Sequence, residues 1–509
     1  MPVAQRRDLL LRDSLLLESS DRRSRAGIEQ TPGGSPMTVS KTTSNELREA
    51  FEAFVRAYPG YSQTQALDEL RQRDFSRLDQ RNHVYLDYTG GGLYGDSQIR
   101  RHMELLRSTV FGNPHSTNPT SLGTTKLIEK TRNHVLEFFN ASPDEYGVIF
   151  TANASQALKL VGESYPFESG DRFLLTYDNH NSVNGIREFD RAHGAHTTYI
   201  PVSPPDLRVD DELVIAELEQ ESSGHHKLFA FPAQSNFSGV HHPLEWIATA
   251  QENGWDVLLD AAAFVPTNRL DLGQWRPDYV ALSFYKMFGY PTGVGALIAR
   301  WPALAKLHRP WFAGGTIEVA SVKADRYYLA SGSAAFEDGT LDYTSIPAVS
   351  FGLEFLESVG MDRINERVKY LCGWLIEALE RLHHGNGRPL VKLYGPSSAE
   401  KRGGTVTINF YDAGGEVIDH EVIEEAANRE MISLRTGCFC NPGAGEMALG
   451  LSKQELITCF TGSEHNLTYD DFRLCIDGKE TGAVRISVGI VSDFRDTYRF
   501  VEFAKSFLI

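Results

Sequence analysis

"SFYKMFGYPTGVGALI", residues 283–298, decides how the rest of the chain is read. Lys286 stands in a run of aromatic and small apolar residues, with glycines close behind it. Removing an ammonium group from water is costly. A lysine in this setting snorkels to the surface, pairs with an acid, or persists as an amine of depressed pKa. An amine of the last kind is a nucleophile suited to covalent catalysis.

The neighbouring segments read as an α/β sheet. "YVALSFYK" (279–286) and "GVGALIA" are strand-like, as are "GVIFTA" (147–152), "DRFLLTYD" (171–178), "HTTYIPV" (196–202), "HKLFAFPAQSN" (226–236) and "WDVLLDAAA" (255–263). Helical segments such as "ASQALKLVGESY", "DELVIAELEQE" and "PLEWIATAQENG" alternate with them. Short, unalternating apolar runs between helices predict a sheet buried on both faces, here of about seven mostly parallel strands. This large domain is expected over residues 46–346. It opens on "NELREAFEAFVRAYPG", a helix with Leu47, Phe51, Phe54 and Val55 on one side, ended by Pro59 and Gly60. From about 347 a long helical stretch with a break near Gly360 begins. "VKLYG", "GTVTINFY" and "AVRISVGI" then read as strands around a helix at 419–429, so a smaller α+β domain is expected over 347–509.

Bulk properties narrow the function. The 509 residues suit two or three domains, and 41% hydrophobic with 23% charged residues is ordinary globular composition. No apolar run approaches the roughly 18–20 residues that span a bilayer, so no membrane role is expected. A net charge of -17 argues against a general nucleic-acid binder. Five cysteines are too sparse for a disulfide framework and read as free thiols in a reducing cytoplasm. Residues 1–45 read as a mostly disordered tail, with Met37 an alternative start and no signal-peptide core.

In open α/β sheets ligands bind at the carboxyl ends of the strands. The first strand ends at Thr151 and runs into "ANASQAL", where Ala154 and Ser155 open a helix suited to phosphate. The next leads to His180, placed to stack on a flat ligand. "DVLLDAAAF" ends its apolar run on Asp260, a carboxylate that needs a cation such as a protonated ring nitrogen. The last carries Ser283 and Lys286. Each residue alone has an ordinary explanation: a helix cap, a polar loop, a capping aspartate, a snorkelling lysine. Together and in this order they are the groups that pyridoxal 5'-phosphate requires.

At this point the chain resembles the class V aminotransferase superfamily of fold-type I pyridoxal-phosphate enzymes, which contains the cysteine desulfurases. "YLDYTGGG" (85–92), "GNPHS" (112–116), "FTANASQALKL" and "LLDAAAF" carry the likeness. "SFYKMFGYPTGVGALI", "FEDGT" (336–340), "RTGCFCNPGAG" (435–445) and "IDGKETGAVRISVG" (476–489) are most similar to the aminotransferase-like domain of molybdenum cofactor sulfurases. The resemblance implies that Lys286 carries the cofactor and Asp260 pairs with its ring nitrogen. It implies that His180 stacks on the ring and that Ala154, Ser155 and Ser283 hold its phosphate. It implies a homodimer in which Thr316 reaches the other subunit's phosphate. Arg485 would grip the substrate carboxylate, with Asn113 and Arg435 also on the substrate side. Residues 46–85 would pack on the small domain.

"RTGCFCNPGAG" reads from its composition as a mobile loop, neither helix nor strand. Its C-x-C pair is a fragment of a metal site, but no other Cys or His lies near it in sequence, so no metal is expected. The resemblance makes Cys440 the catalytic thiol of a desulfurase. Lys286 would remove the Cα proton of L-cysteine, and the Cys440 thiolate would attack its sulfur, leaving L-alanine and a persulfide for an acceptor protein. Three positions depart from related patterns. Ala263 stands where many desulfurases have glutamine, Tyr285 where they have histidine, and Gly445 where the molybdenum-type group suggests a cysteine. That group carries a further C-terminal domain, whereas this sequence ends at "FVEFAKSFLI", so delivery to molybdenum is expected to need a separate protein. Rival readings are a C–S or C–N lyase or selenocysteine lyase of the same fold, and a non-catalytic scaffold.

Overall fold

The computed structural model describes residues 44–221, 224–462 and 482–509. The expected tail falls outside them, Met37 included, up to Ser44, where a helix begins. The apolar runs of the sequence become the strands of one sheet. Helices α1 (Ser44–Ala57) and α2 (Ala66–Asp74) precede β1 (Val84–Tyr85), and α3 (Asp96–Ser108) and α4 (Pro119–Phe138) follow. Then come β2 (Tyr146–Thr151), α5 (Ala154–Ser164), β3 (Arg172–Thr176), β4 (His196–Ile200) and α6 (Asp211–Glu219). After them lie β5 (Lys227–Pro232), α7 (Trp246–Glu252), β6 (Asp256–Asp260), β7 (Tyr279–Ser283), α8 (Phe284–Phe288) and β8 (Gly295–Arg300).

The seven strands lie in the order β2-β8-β7-β6-β5-β3-β4. β8 pairs antiparallel with both neighbours, and β7, β6, β5, β3 and β4 pair parallel. Every residue of β2, β3, β6 and β7 is buried, which is why these runs are apolar without alternation. α5 packs on β7 and β8, and α7 on β6. A hairpin of β9 (Ile317–Ser321) and β10 (Arg326–Leu329) stands apart, exposed along most of its length.

Helices α9 (Ile346–Val359) and α10 (Met361–Glu380) are divided at Gly360, whose φ of +90° no side chain tolerates well. α9 packs on α3, α4 and α8, in the layers of the large sheet, while α10 packs on the second sheet. The chain thus changes layer at Gly360. The second sheet is antiparallel. Its main path is β11 (Val391–Tyr394), β12 (Thr405–Tyr411), then β15 (Ala483–Ser487) and β14 (Arg435–Gly437). Around it lie α11 (His420–Arg429), β13 (Ile432–Ser433), α12 (Pro442–Leu449) and α13 (Phe494–Lys505). Residues 47–509 form one compact unit. Its first segment is bound to this second sheet's helices. Arg367 on α10 donates to Asp68 at 2.7 Å, Arg71 on α2 pairs with Asp496 on α13 at 2.5 Å, and β1 runs parallel to β13.

Three expectations need correction. The strand expected through Lys286 stops at Ser283, because Phe284–Phe288 coil into a helix that Gly289 ends. "RTGCFCNPGAG" is not one loop: Arg435–Gly437 pair with β15, and Pro442 starts α12 with Asn441 as its cap. Composition missed both because a three-residue ladder and a proline-led helix leave little periodicity. The cysteines are not all free either. Cys372, Cys438 and Cys440 are thiols, but Cys459 is disulfide-bonded, a pairing that sparse spacing cannot reveal.

Candidate active site

The site is built around the helix α8. Ser283 ends β7, and its Oγ accepts the Ala154 N–H at 2.8 Å, tying the lysine helix to the start of α5. Gly289 closes α8 with φ +77°, and a Cβ there would meet the Leu93 carbonyl carbon at 2.3 Å. Gly92 donates its N–H to the Tyr285 carbonyl at 3.0 Å, and a Cβ on it would lie 2.8 Å from the Lys286 carbonyl oxygen. The glycines of "YLDYTGGG" thus allow the backbone to close over the lysine helix.

Lys286, Asp260, His180, Ala154, Ser155 and Ser283 all line one cavity of about 180 Å³. Sequence reasoning named all six. Burial pushes the Lys286 amine below its usual value, Asp260 working against it. No hydrogen bond or ion pair to the Lys286 amine occurs among the described residues. His180 is also held low by burial, with Asp260 opposing and Lys286 and Arg485 assisting. Its Nδ1 accepts the Ser182 N–H at 3.1 Å, which fixes the ring. Gln234, Asn236, Ser182 and Tyr285 add further polar groups to the lining. The first two follow β5, and applying the strand-end rule to "FPAQSN" finds them.

These residues fit a phosphorylated pyridine. Asp260 is only 8% exposed. Its Oδ1 accepts from the Ala262 N–H at 3.0 Å, and its Oδ2 has no hydrogen-bond partner among the described residues. A buried carboxylate so placed is stabilised by a protonated ring nitrogen. The first turn of α5 turns toward the cavity, with Asn153 capping Gln156 N–H at 3.0 Å and Ser155 Oγ 2.6 Å from Ser182 Oγ. That helix start suits a dianion.

The remaining predicted residues sit differently. Arg485, fully buried, donates to the Asn236 carbonyl at 3.0 Å and to Asp87 at 3.1 Å, while its Nε has no partner among the described residues. Burial pushes its guanidinium down to about 10, with Asp87 working against that. Arg435 grips the other side of Asp87 at 2.7 Å, and the hydrogen bonds to Asp87 raise its pKa. One carboxylate, Asp87, therefore holds both guanidinium groups. "YLDYTGGG" contains Asp87, but nothing local signals its partners. Asn113 is exposed and reaches Thr340 at 3.4 Å, away from the cavity. Thr316 is buried with its hydroxyl bonded to Ala313 in its own turn, and it does not line the cavity of its own chain.

Cys438 and Cys440 are both exposed. At Lys286 and Arg485, whose pKa values burial lowers, Cys440 works weakly in the opposite direction. The turn carrying it is pinned. The Cys440 carbonyl accepts from Asn181 N–H at 2.8 Å, and Asn441 Nδ2 donates to the Asp178 carbonyl at 2.7 Å and to Asn236 at 2.8 Å. Below it, burial works to raise the Asp178 carboxyl, and His242, 2.9 Å away, brings it below the usual value.

Residues 84–498 match the family described as aminotransferase class-V. The molybdenum cofactor sulfurase of Arabidopsis thaliana is 38% identical over 495 residues, spanning 89% of this chain and 60% of that protein. That of Homo sapiens is 38% identical over 460 residues, spanning 86% and 51%. The chain thus spans 51–60% of the length of these relatives. The apo structure of a cysteine desulfurase from Thermococcus onnurineus NA1 superposes with a TM-score of 0.70 at 22% identity, over 86% of this chain and 97% of that one, a likeness of fold.

Proposed function

Because the chain belongs to the aminotransferase class-V family, we propose that it is a pyridoxal-phosphate-dependent cysteine desulfurase of the molybdenum-cofactor-sulfurase type. One observation carries this reading: the exposed thiol of Cys440 sits on a turn bonded to Asn181, the neighbour of His180, and through Asn441 to Asn236, and both His180 and Asn236 line the cavity of the buried Lys286. Lyases of other amino acids have no use for that thiol. The bound cofactor supplies an electron sink next to the substrate Cα. The protein's own groups do the rest. Lys286 would hold the cofactor, and its amine, whose pKa burial lowers, would take the Cα proton. Asp260 keeps the ring nitrogen protonated, and Arg485 orients the substrate carboxylate. The Cys440 thiolate attacks the substrate sulfur. An S–S bond forms as the Cβ–S bond breaks, Cβ keeps the electron pair and takes a proton, and Lys286 returns its proton to Cα. The products are L-alanine and a Cys440 persulfide for transfer to an acceptor protein.

The proposal extends to a cytoplasmic homodimer. The apolar β9–β10 hairpin, with Val322 99% and Tyr328 70% exposed, supports a covering partner copy. Thr316 would meet the other subunit's phosphate. Asn113 and Arg435 would take part on the substrate side, with Arg435 acting through Asp87. The two sheets would mark the large and small domains.

Mass spectrometry of the protein after L-cysteine addition tests the reading. One added sulfur on Cys440 is expected in the wild type. Cys440→Ala should lose it while keeping the cofactor's visible absorbance. Sulfide release from cysteine at the wild-type rate by Cys440→Ala overturns the assignment.

A further inference from the structure

Phe439 packs its ring against one of the groups the reaction must bring together and is joined in the chain to the other. The Arg485 guanidinium lies over the ring, 4.7 Å from its centroid, and Phe237 tilts against it at 5.4 Å. The next residue along the chain is Cys440. Asn236 makes a second link: its carbonyl accepts from Arg485 at 3.0 Å, and its side-chain amide donates to the Phe439 carbonyl at 2.8 Å. Phe439 and Cys440 have φ of +57° and +56°. Residues with side chains adopt that region rarely, so the surrounding contacts must hold this turn in place. The ring is buried, at 7% exposure, whereas both flanking cysteines are exposed.

We propose that Phe439 is a positioning residue that couples carboxylate recognition at Arg485 to the placement of the Cys440 thiol; this rests on the desulfurase reading above. A cation over an aromatic face is held by its charge, and a carboxylate arriving at that guanidinium competes for the same charge. The change passes to a ring whose backbone carries the thiol in a conformation kept only by its contacts. Linkage requires the reverse effect as well: a change at the turn alters the affinity of Arg485 for carboxylate.

The test uses the cofactor-loaded full chain and L-alanine, which offers the carboxylate without a sulfur. Alkylation of Cys440 by iodoacetamide is followed by fragment mass spectrometry, and alanine binding by the cofactor's visible spectrum. Alanine is expected to change the Cys440 alkylation rate roughly three- to tenfold in the wild type, with a smaller effect at Cys438. Phe439→Tyr should keep the response. Phe439→Leu, which retains an apolar side chain without a π face, should lose the response while still binding alanine. Its kcat for persulfide formation should fall more than its KM rises. A ring that only fills space would lower the melting temperature and leave the alanine response intact. Phe439→Leu with the full response overturns the coupling. So does a wild type that binds alanine with no change at Cys440, a result needing no variant. A wild type showing the alanine response but gaining no sulfur from L-cysteine keeps the coupling and overturns the desulfurase reading instead.

Discussion

At the scale of single residues, burial decides the charge of the groups around the site. His241 is the clearest case. Its ring packs edge-on to Phe264 at 5.1 Å, and its Nε2 lies 3.0 Å from Gln234 Oε1, an amide of the cavity wall. Burial, helped by the charges of His242 and Arg402, pushes its pKa down to about 3. In the unfolded chain it takes a proton near its ordinary value. Below about pH 6.5 the unfolded state therefore binds more protons, and stability falls as pH falls, by about 1.4 kcal/mol per unit from this residue. The acid limb of the melting-temperature profile should be steeper in the wild type than in His241→Gln, with the curves converging toward neutral pH. Equal slopes would show that the ring is not buried uncharged. Lys286 follows the same sign, since its folded pKa is also depressed. The cofactor-free protein should gain stability as pH rises toward the ordinary lysine value of about 10.4, and Lys286→Met should flatten that gain.

At the scale of elements, the thiol turn is a short link between a strand and a helix. Gly445, in the first turns of α12, has room for a side chain. A Cβ there would lie 3.9 Å from the Cys438 Cβ and 3.8 Å from Phe237. Disulfides span a Cβ separation of about 3.5–4.5 Å. Gly445→Cys is therefore expected to cross-link to Cys438 on mild oxidation and to leave Cys440 titratable. Peptide mapping that finds both thiols free after oxidation would refute this placement. The turn also shows where sequence legibility stops. Lys286, Asp260, His180, Ser283 and the Ala154–Ser155 pair were readable because each sits at or just past the end of a buried strand, a local signal. Asp87 was not, because its partner Arg485 lies 398 residues away in sequence. The same holds for Asn441, whose bonds reach back to Asp178 and Asn236. Hydrophobic period carries no information about such cross-chain hydrogen bonds.

At the scale of the whole molecule, buried charges fasten the first segment to the last. Arg367, at 1% exposure, donates to Thr64 Oγ1 at 2.6 Å and to Asp68, joining α10 to the N-terminal helices. Asp68 is partly exposed, so removing Arg367 should cost less than the roughly 3–5 kcal/mol typical of a fully buried pair. Arg367→Ala should lower the melting temperature markedly and make the bond between α1 and α2 an early protease target. Val322→Glu with Tyr328→Glu, on the exposed hairpin, should shift the molecular mass measured by light scattering from dimer to monomer. An unchanged mass would remove the hairpin from the proposed subunit contact. The pinned thiol turn has a last consequence, for delivery. A donor held by this many fixed bonds cannot serve as a tether that carries its cargo across a gap. On the proposed function, sulfur would leave only in encounters that bring the recipient's nucleophile to a stationary point on the surface. Transfer should then be second order in the recipient, selective by its shape, and slow toward recipients whose own acceptor atom is recessed.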